Sequence, residues 1–257
     1  MRASVSQIKL FKACRRAWML KYCESLVPVQ TAETLETGKS YHSFLESLEK
    51  GEQIDTDYSK AAAMAKAYEK YILPKFHVTA AEKELEKPIV DHILHGFVDG
   101  LSDDGYIVEH KTTSADISEG GEYEYNLLWD EQVLAYMSLT DLRKVHYTVC
   151  KKPTIRLKKD ETDEEFYQRM VEWYDDDTEH KLRVFTVERT DEEVQQFEQE
   201  FAHICDAMQA AINSEKEIYR NTCHCNSWGR RCEYSGICLN YDPNQQYVEY
   251  YKKEVDK

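Results

Sequence analysis

The sequence has no uninterrupted apolar stretch approaching the roughly 18 residues that a membrane-spanning helix needs. Its opening, Met1-Arg2-Ala3-Ser4-Val5-Ser6-Gln7, lacks the apolar segment of a secretory signal, so a cytoplasmic protein with no membrane partner is expected. There is no internal repeat, and no linker is long enough to separate independent domains. Positive charge is also short: 33 Lys and Arg against 48 Asp and Glu give a net charge of −15. That works against a sequence-independent nucleic-acid binder relying on a bulk positive field. An enzyme that meets phosphates through bound cations is not excluded, because a metal ion inverts the local sign of an acidic site. Helicase motifs are missing, so any unwinding of a duplex falls to a helicase or recombination partner.

What is present is a soluble globular composition, 42% hydrophobic and 32% charged over 257 residues. That length suits one large domain or a core with an appended lobe. Residues 4–25 read as a helix: Ser4 or Ser6 can cap it, and Ile8, Phe11, Cys14, Trp18 and Tyr22 return at helical spacing. Helical patterns recur over 38–50, 59–73, 124–140 and 190–213. From 82 to 112 the period becomes that of strands, and Val145–Cys150 and Leu182–Val187 read as two more. The run 151–159 carries five positive charges and the next twenty residues ten acids, a solvated helix leading into Asp175-Asp176-Asp177. Gly38-Lys39-Ser40 looks like the end of a phosphate-binding loop, but Glu33 stands where the first glycine must be and no strand precedes it.

Leu94–Gly100, the turn Ser102-Asp103-Asp104-Gly105 and Tyr106–Lys111 have the pattern of a β-hairpin. Period-two alternation places Glu109 and Lys111 on one face of the second strand, with Val108 and His110 on the other. The short turn brings Asp99 back alongside Glu109, so two carboxylates converge beside one ammonium. Phosphodiester hydrolysis can use such a set. Carboxylates hold Mg²⁺ or Mn²⁺ through hard oxygens, the ion polarises the phosphate, and a lysine orients the attacking water or offsets charge. Alone, the pattern also reads as a turn with a surface ion pair. Two further features bear on it: His42, on a helix starting near Gly38, and Gln132 with Tyr136, at i and i+4 on one helix face. Each by itself is ordinary helix surface.

Taken in order, His42, Asp99, Glu109-His110-Lys111 and Gln132-x3-Tyr136 resemble the motifs of the PD-(D/E)XK nuclease superfamily in its RecB-like branch. That branch includes CRISPR-adaptation exonucleases and many phage-encoded nucleases. The likeness runs from about residue 4 to 240, and Ser4, Ser6, Ile8, Phe11, Cys14, Arg16 and Trp18 resemble the family's N-terminal helix. The resemblance implies that Asp99 and Glu109 ligate the metals with the His110 backbone carbonyl, and that His42 completes the shell. It makes Lys111 the catalytic lysine, with Gln132 and Tyr136 contacting the DNA backbone or bracing Lys111. One departure stands out: the family often has a basic residue before the glutamine, where this chain has Trp129-Asp130-Glu131.

Eight cysteines in a reducing compartment are not expected to form a disulfide framework. Cys223, Cys225, Cys232 and Cys238 fall within sixteen residues, while Cys14, Cys23, Cys150 and Cys205 are scattered. Cys225, Cys232 and Cys238 have ligand-like spacing but leave a tetrahedral metal one ligand short. Cys223 is a local fourth candidate for a zinc knuckle, and Cys14 a distant one; plain buried thiols remain a third reading. The iron–sulfur members of the resembled branch carry one cysteine in the N-terminal helix and three near the C-terminus. Cys14, Cys225, Cys232 and Cys238 resemble that arrangement, with Asn221 four before Cys225 and Gly229 between Cys225 and Cys232, which implies a [4Fe–4S] cluster. Closing a loop of some 200 residues in this way is worth on the order of 5 kcal/mol by the arithmetic used for disulfides. Cys23, Cys150 and Cys205 read as ordinary apolar or half-buried thiols. Arg15-Arg16 and Arg230-Arg231 would flank the cluster and steer a phosphate chain, as would the basic run at 151–159 if it is more than a solvated loop. Trp228 and Tyr234 either stack bases or pack around the cluster.

The expected architecture is an α/β, restriction-endonuclease-like mixed sheet flanked by helices, with a helical lobe and a C-terminal iron–sulfur clasp. It divides a single domain, 1–257, into a helical lobe (1–80), a catalytic core (81–150), an insertion and helix (151–215), the cysteine region (216–240) and a tail (241–257). The expected activity is Mg²⁺- or Mn²⁺-dependent hydrolysis of DNA, exonucleolytic, favouring single strands and the 5′→3′ direction, in recombination, repair or phage DNA processing. Two other classes compete: a catalytically inactive DNA-binding or recombination accessory that kept the fold, and a zinc-clasped interaction module. The complete acid–acid–lysine set speaks against the first.

Overall fold

Val145, Tyr147 and Val149 alternate with Thr148 and Cys150 along one strand, leaving little polarity on either face, so both faces must be covered. The computed structural model describes residues 1–28, 33–53, 57–214, 218–227, 230–239 and 250–252. In chain order these form β1 (Arg2–Ser4), α1 (Val5–Ala13), α2 (Arg15–Trp18), β2 (Leu26–Pro28), α3 (Glu33–Glu49), α4 (Lys60–Tyr71), β3 (Val78–Ile89) and β4 (His92–Ser102). There follow β5 (Ile107–Thr113), α5 (Glu122–Leu127), α6 (Glu131–Thr140), β6 (Lys144–Lys151), α7 (Asp163–Asp175), β7 (Leu182–Glu188) and α8 (Asp191–Asn213). The C-terminal region adds β8 (Asn226–Ser227), β9 (Arg230–Arg231), α9 (Ser235–Leu239) and β10 (Tyr250–Lys252). The chain divides into two compact units, one of residues 33–86 and 96–197, the other of 1–32, 87–95 and 198–257.

In the first unit the strand order is β4-β5-β6-β7, with β3 also on β4. β4 and β5 are antiparallel (Gly100↔Val108, Leu101↔Ile107). β5 and β6 are parallel from Ile107↔Val145 to Thr113↔Lys151, and β6 and β7 antiparallel from Lys144↔Glu188 to Cys150↔Leu182. A parallel neighbour needs a crossover, and α5 and α6 supply it between β5 and β6. Leu127, Val133, Tyr136 and Met137 from these helices pack with Ile107, Val145, Tyr147, Val149, Phe185 and Val187. Residues of opposite parity on the same strands, Cys150 and Leu182, join Tyr41, Leu45 and Leu48 of α3, Met64 and Tyr68 of α4 and Tyr174 of α7. The fold is therefore a mixed sheet flanked by helices, the architecture that the resemblance implies. Seven of the twelve residues of α4 are buried, five of them alanines (61, 62, 63, 65 and 67), whose small side chains let neighbouring backbones come close.

The helical pattern over 124–140 is two helices, because the Asp130 side chain accepts the Gln132 N–H at 3.1 Å and starts α6 afresh. The helix expected from 38 begins at Glu33. Among the described residues no helix is long and apolar enough to cross a membrane.

In the second unit β1 runs parallel to β4 (Arg2↔Ile93, Ala3↔Leu94, Ser4↔His95), so the segment 4–25 opens from a strand. Ser4 caps α1 by accepting the Gln7 N–H at 3.4 Å. The expected single helix breaks at Cys14, whose backbone is extended (φ −162°, ψ 110°). Beyond α2 the chain widens into a π-helical turn, Met19–Cys23. Cys14, Ala17, Leu20 and Tyr234 are buried together, with Cys232 and Ile237 packed against them. Tyr234 is 1% exposed and donates its hydroxyl to the Leu26 carbonyl, so of the two roles considered for it, it packs and does not stack bases. Trp228, Gly229 and most of the tail at 241–257 lie outside the described residues.

Candidate active site

Antiparallel pairing of β4 with β5 fixes the centre of the site. The His110 backbone N–H donates to Asp99 Oδ2 at 2.8 Å. From α3, His42 Nδ1 lies 3.6 Å from the same oxygen. Lys111 Nζ lies 2.6 Å from Glu109 Oε1 and 3.3 Å from Asp130 Oδ2, and it donates to Gln132 Oε1 at 3.1 Å. The Gln132 amide in turn donates to the Tyr136 hydroxyl at 2.6 Å. Two linked groups, His42 with Asp99 and Glu109 with Lys111, Gln132 and Tyr136, thus meet at adjacent positions of β5, although they are drawn from α3, two strands and α6.

Burial sets the electrostatics. Glu109 is 2% exposed, and its Oε2 has no hydrogen-bond partner among the described residues. Burial first, then the charge of Asp99, pushes its carboxyl up to about 8 despite Lys111 beside it. Asp99 is buried as well, but the His42 side chain and the His110 N–H outweigh that and hold its carboxyl below the usual range. Burial opposes the charge on Lys111, yet Glu109 and Asp130 more than compensate and raise its pKa. The lysine stays an ammonium at any neutral pH. His42 is raised too, with Asp99 overcoming the effect of burial. Burial and both carboxylates raise the Tyr136 hydroxyl, which places the two acids within electrostatic reach of one side chain on α6.

Three acidic residues escape sequence reasoning. Glu82 on β3 has its carboxylate, with His42 and Asp99, in a group whose donor atoms all lie within 4.8 Å of one another. Its backbone takes φ +46°, a left-handed kink that redirects the side chain out of the strand's alternation. Burial and Asp99 raise its carboxyl. Glu49 lies behind the site, its side chain 1% exposed and its Oε1 3.1 Å from His110 Nε2, close enough to pair though not aligned as a hydrogen bond. Tyr68 donates to the same oxygen at 2.5 Å, and His110 Nδ1 meets Thr148 Oγ1 at 2.6 Å. These contacts fix the backbone whose N–H holds Asp99. Asp130 caps α6 with one oxygen and meets Lys111 with the other.

A buried carboxyl with one oxygen unpartnered among the described residues, a second carboxylate beside it, and an imidazole grouped with two acids are a donor set of hard oxygens and nitrogen. That set fits a divalent ion of the Mg²⁺ or Mn²⁺ kind. The sequence matches the PD-(D/E)XK nuclease superfamily over residues 2–239. The chain belongs to that superfamily. No curated protein matches it significantly. Among solved structures it is similar to a candidate exonuclease from Eubacterium rectale (12% identity, 96% of this chain and 90% of that one, TM-score 0.48). It is also similar to a phage-related exonuclease from Haemophilus somnus (14%, 79% and 96%, TM-score 0.41) and to an alkaline exonuclease from Laribacter hongkongensis (14%, 82% and 95%, TM-score 0.37).

In the second unit Cys14 is buried, Cys225, Cys232 and Cys238 are half-buried, and Cys223 is exposed. Cys14 Sγ accepts the Asn221 N–H at 3.5 Å, and Cys225 Sγ lies 3.8 Å from the Asn221 carbonyl. Burial raises the thiols of Cys232 and Cys238; the charges of Cys14 and Cys225 add to the rise at both, and that of Cys238 adds to it at Cys232. Cys150 and Cys205 are buried as ordinary thiols, whereas Cys23 is exposed.

Proposed function

We propose that this chain is a metal-dependent deoxyribonuclease, an exonuclease that prefers single strands and works 5′→3′ in recombination, repair or phage DNA processing. The observation that carries the reading is the Lys111 ammonium held 2.6 Å from the buried Glu109 carboxyl group, with Asp99 on the pairing strand. Preference for single strands, exonucleolytic action and direction come with the resemblance to the RecB-like branch. His42, Asp99, Glu109 and the His110 carbonyl would hold Mg²⁺ or Mn²⁺, and Glu82 joins them. A divalent ion there would supply a Lewis acid that lowers the pKa of the attacking water and offsets charge on the phosphate oxygens.

The protein's own groups divide the remaining work. Lys111, kept charged by Glu109 and Asp130, cannot act as a base at neutral pH. Its role is to donate hydrogen bonds to the attacking water or to a phosphate oxygen as charge builds there. Gln132, locked between Lys111 and Tyr136, keeps that ammonium from swinging away. Glu109 gives up its proton when a cation arrives, and Asp99 is already ionised. Degradation of labelled single- and double-stranded oligonucleotides blocked at the 5′ or the 3′ end tests the reading. Digestion with Mg²⁺ or Mn²⁺, stopped by EDTA and by a 5′ block, is expected. Digestion that ignores EDTA would refute the metal-dependent chemistry, and indifference to end blocks would refute the exonuclease.

We further propose that Cys14, Cys225, Cys232 and Cys238 hold a [4Fe–4S] cluster. Cys14 and Cys232 pack in one apolar cluster with Tyr234, and the charges of Cys14 and Cys225 act on both Cys232 and Cys238, which supports the set. Protein purified without oxygen is expected to be brown. Cys232→Ser should lose the colour and melt earlier, whereas Cys223→Ser should keep both. Colourless protein containing zinc would contradict the assignment.

A further inference from the structure

Among the described residues, three of ten exposed large apolar side chains fall within five positions: Tyr125 (58%), Leu128 (45%) and Trp129 (73%). They are not the loose end of a frayed helix. Leu127 is buried and Tyr123 half-buried in the apolar cluster beneath α5. The Trp129 N–H donates to the Asn126 carbonyl at 3.1 Å, the Asp130 N–H to the Leu127 carbonyl at 3.2 Å, and the Arg189 guanidinium to the Leu128 carbonyl. The turn is built to hold this patch outward. Elsewhere the chain buries Trp18 almost completely, so an indole left 73% exposed is a departure that asks for a ligand.

Position and charge together say what that ligand is. Asp130, which lies 3.3 Å from the Lys111 ammonium, follows Trp129 directly, so the patch is one residue along the chain from a side chain of the candidate site. Tyr125 and Trp129 meet edge to face, ring centroids 6.2 Å apart. From 112 to 142 the sequence has no lysine or arginine, while Glu122, Glu124, Asp130 and Glu131 flank the aromatic residues. That stretch offers phosphates no cation of its own and four acids to repel them. Uncharged planar bases find two aromatic rings. Bases are free to use them only where they are unpaired, because in a duplex they already stack on one another.

We infer that Tyr125 and Trp129 are a stacking platform for the unpaired bases of the strand whose phosphodiester reaches Lys111. The inference rests on the nuclease reading and gives its single-strand preference a physical cause. Stacking on one aromatic side chain contributes enough that its loss weakens binding roughly 5- to 150-fold. The test is equilibrium binding, with Ca²⁺ supplied, of an oligo(dT), an abasic oligomer of equal length and a blunt duplex. The proteins are the wild type, Trp129→Ala, Trp129→Phe and the double variant Tyr125→Ala/Trp129→Ala. The wild type should bind oligo(dT) at least about tenfold more tightly than either other ligand. Trp129→Ala should lose most of that advantage without weakening on the abasic strand, Trp129→Phe should retain most of it, and the double variant should lose all of it. The platform is overturned if oligo(dT) and the abasic strand bind alike, if Trp129→Ala binds oligo(dT) normally, or if it weakens equally on both. Digestion of the same oligo(dT) by wild type with Mn²⁺ separates the two claims. Cleavage without base-dependent binding removes the platform alone, and base-dependent binding without cleavage removes the nuclease reading alone.

Discussion

Asp99→Ala and Lys111→Ala should each lower DNA cleavage by about 10³-fold or more while the protein remains folded. A preorganised donor aimed at developing charge contributes about 10²–10³ in rate, and Lys111 is such a donor. Its removal also leaves Glu109 and Asp130 facing each other without the ammonium between them, which raises the Glu109 carboxyl further and weakens cation binding. Lys111→Arg should not rescue. A guanidinium is a rigid fork, and the position demands a compact ammonium reaching Glu109, Asp130 and Gln132 together. Asp99→Ala strips the His110 N–H of its buried acceptor, costing about 1–3 kcal/mol, some of which returns as repulsion with Glu109 is relieved. Asp99→Asn keeps an acceptor there and should be nearly as inactive with a smaller loss of stability. Circular dichroism and a melting curve check folding beside the cleavage assay. Either alanine variant degrading DNA at the wild-type rate would sink the assignment.

Without divalent ions, stability should fall as pH rises from 5 to 8. Glu109 titrates near 8 in the folded protein and near the ordinary carboxyl value, 4.5, when unfolded. Between those values the folded state holds a proton that the unfolded state has released, so stability declines by up to about 1.4 kcal/mol per pH unit and levels off above 8. His42, raised by Asp99, adds a loss of the same sign above 6.5. Asp99, lowered, contributes stability that disappears only when pH drops below the ordinary carboxylate range, outside this window. A drop in melting temperature of about 5 °C or more in EDTA is expected between pH 5 and 8. Mn²⁺ takes the place of the proton and should raise the midpoint more at pH 8 than at pH 6. A profile that rises across this window in EDTA would mean that Glu109 is ionised throughout.

The hairpin was legible because its signals are local: alternation on either side of Ser102–Gly105 sets the register, and the register puts Asp99 beside Glu109. Gln132 and Tyr136 were legible for the same reason, one helical turn fixing them on one face. Glu82 was not. It sits in Glu82-Lys83-Glu84-Leu85-Glu86-Lys87, a charged run that reads as solvated strand, and only the positive φ at that residue turns it toward His42. Glu49 left a faint trace, since it follows His42 by seven residues and two helical turns return it to the same face. Its burial depends on His110 and Tyr68, which no local pattern brings to it. The break at Cys14 was hidden by apolar spacing that continues at helical period straight across it. Asp130 was there to be read as a cap, and the apolar residues on both sides masked it.

The most direct test of the whole account is a Mn²⁺ titration followed in one set of samples by calorimetry and by release of labelled nucleotides, for the wild type and Asp99→Asn. The wild type should bind the ion and gain activity over the same concentration range, lose both in EDTA, and shed protons on binding below pH 8. Asp99→Asn should do neither at those concentrations. Cleavage that persists in EDTA, or an ion bound equally well without the Asp99 carboxylate, would contradict it.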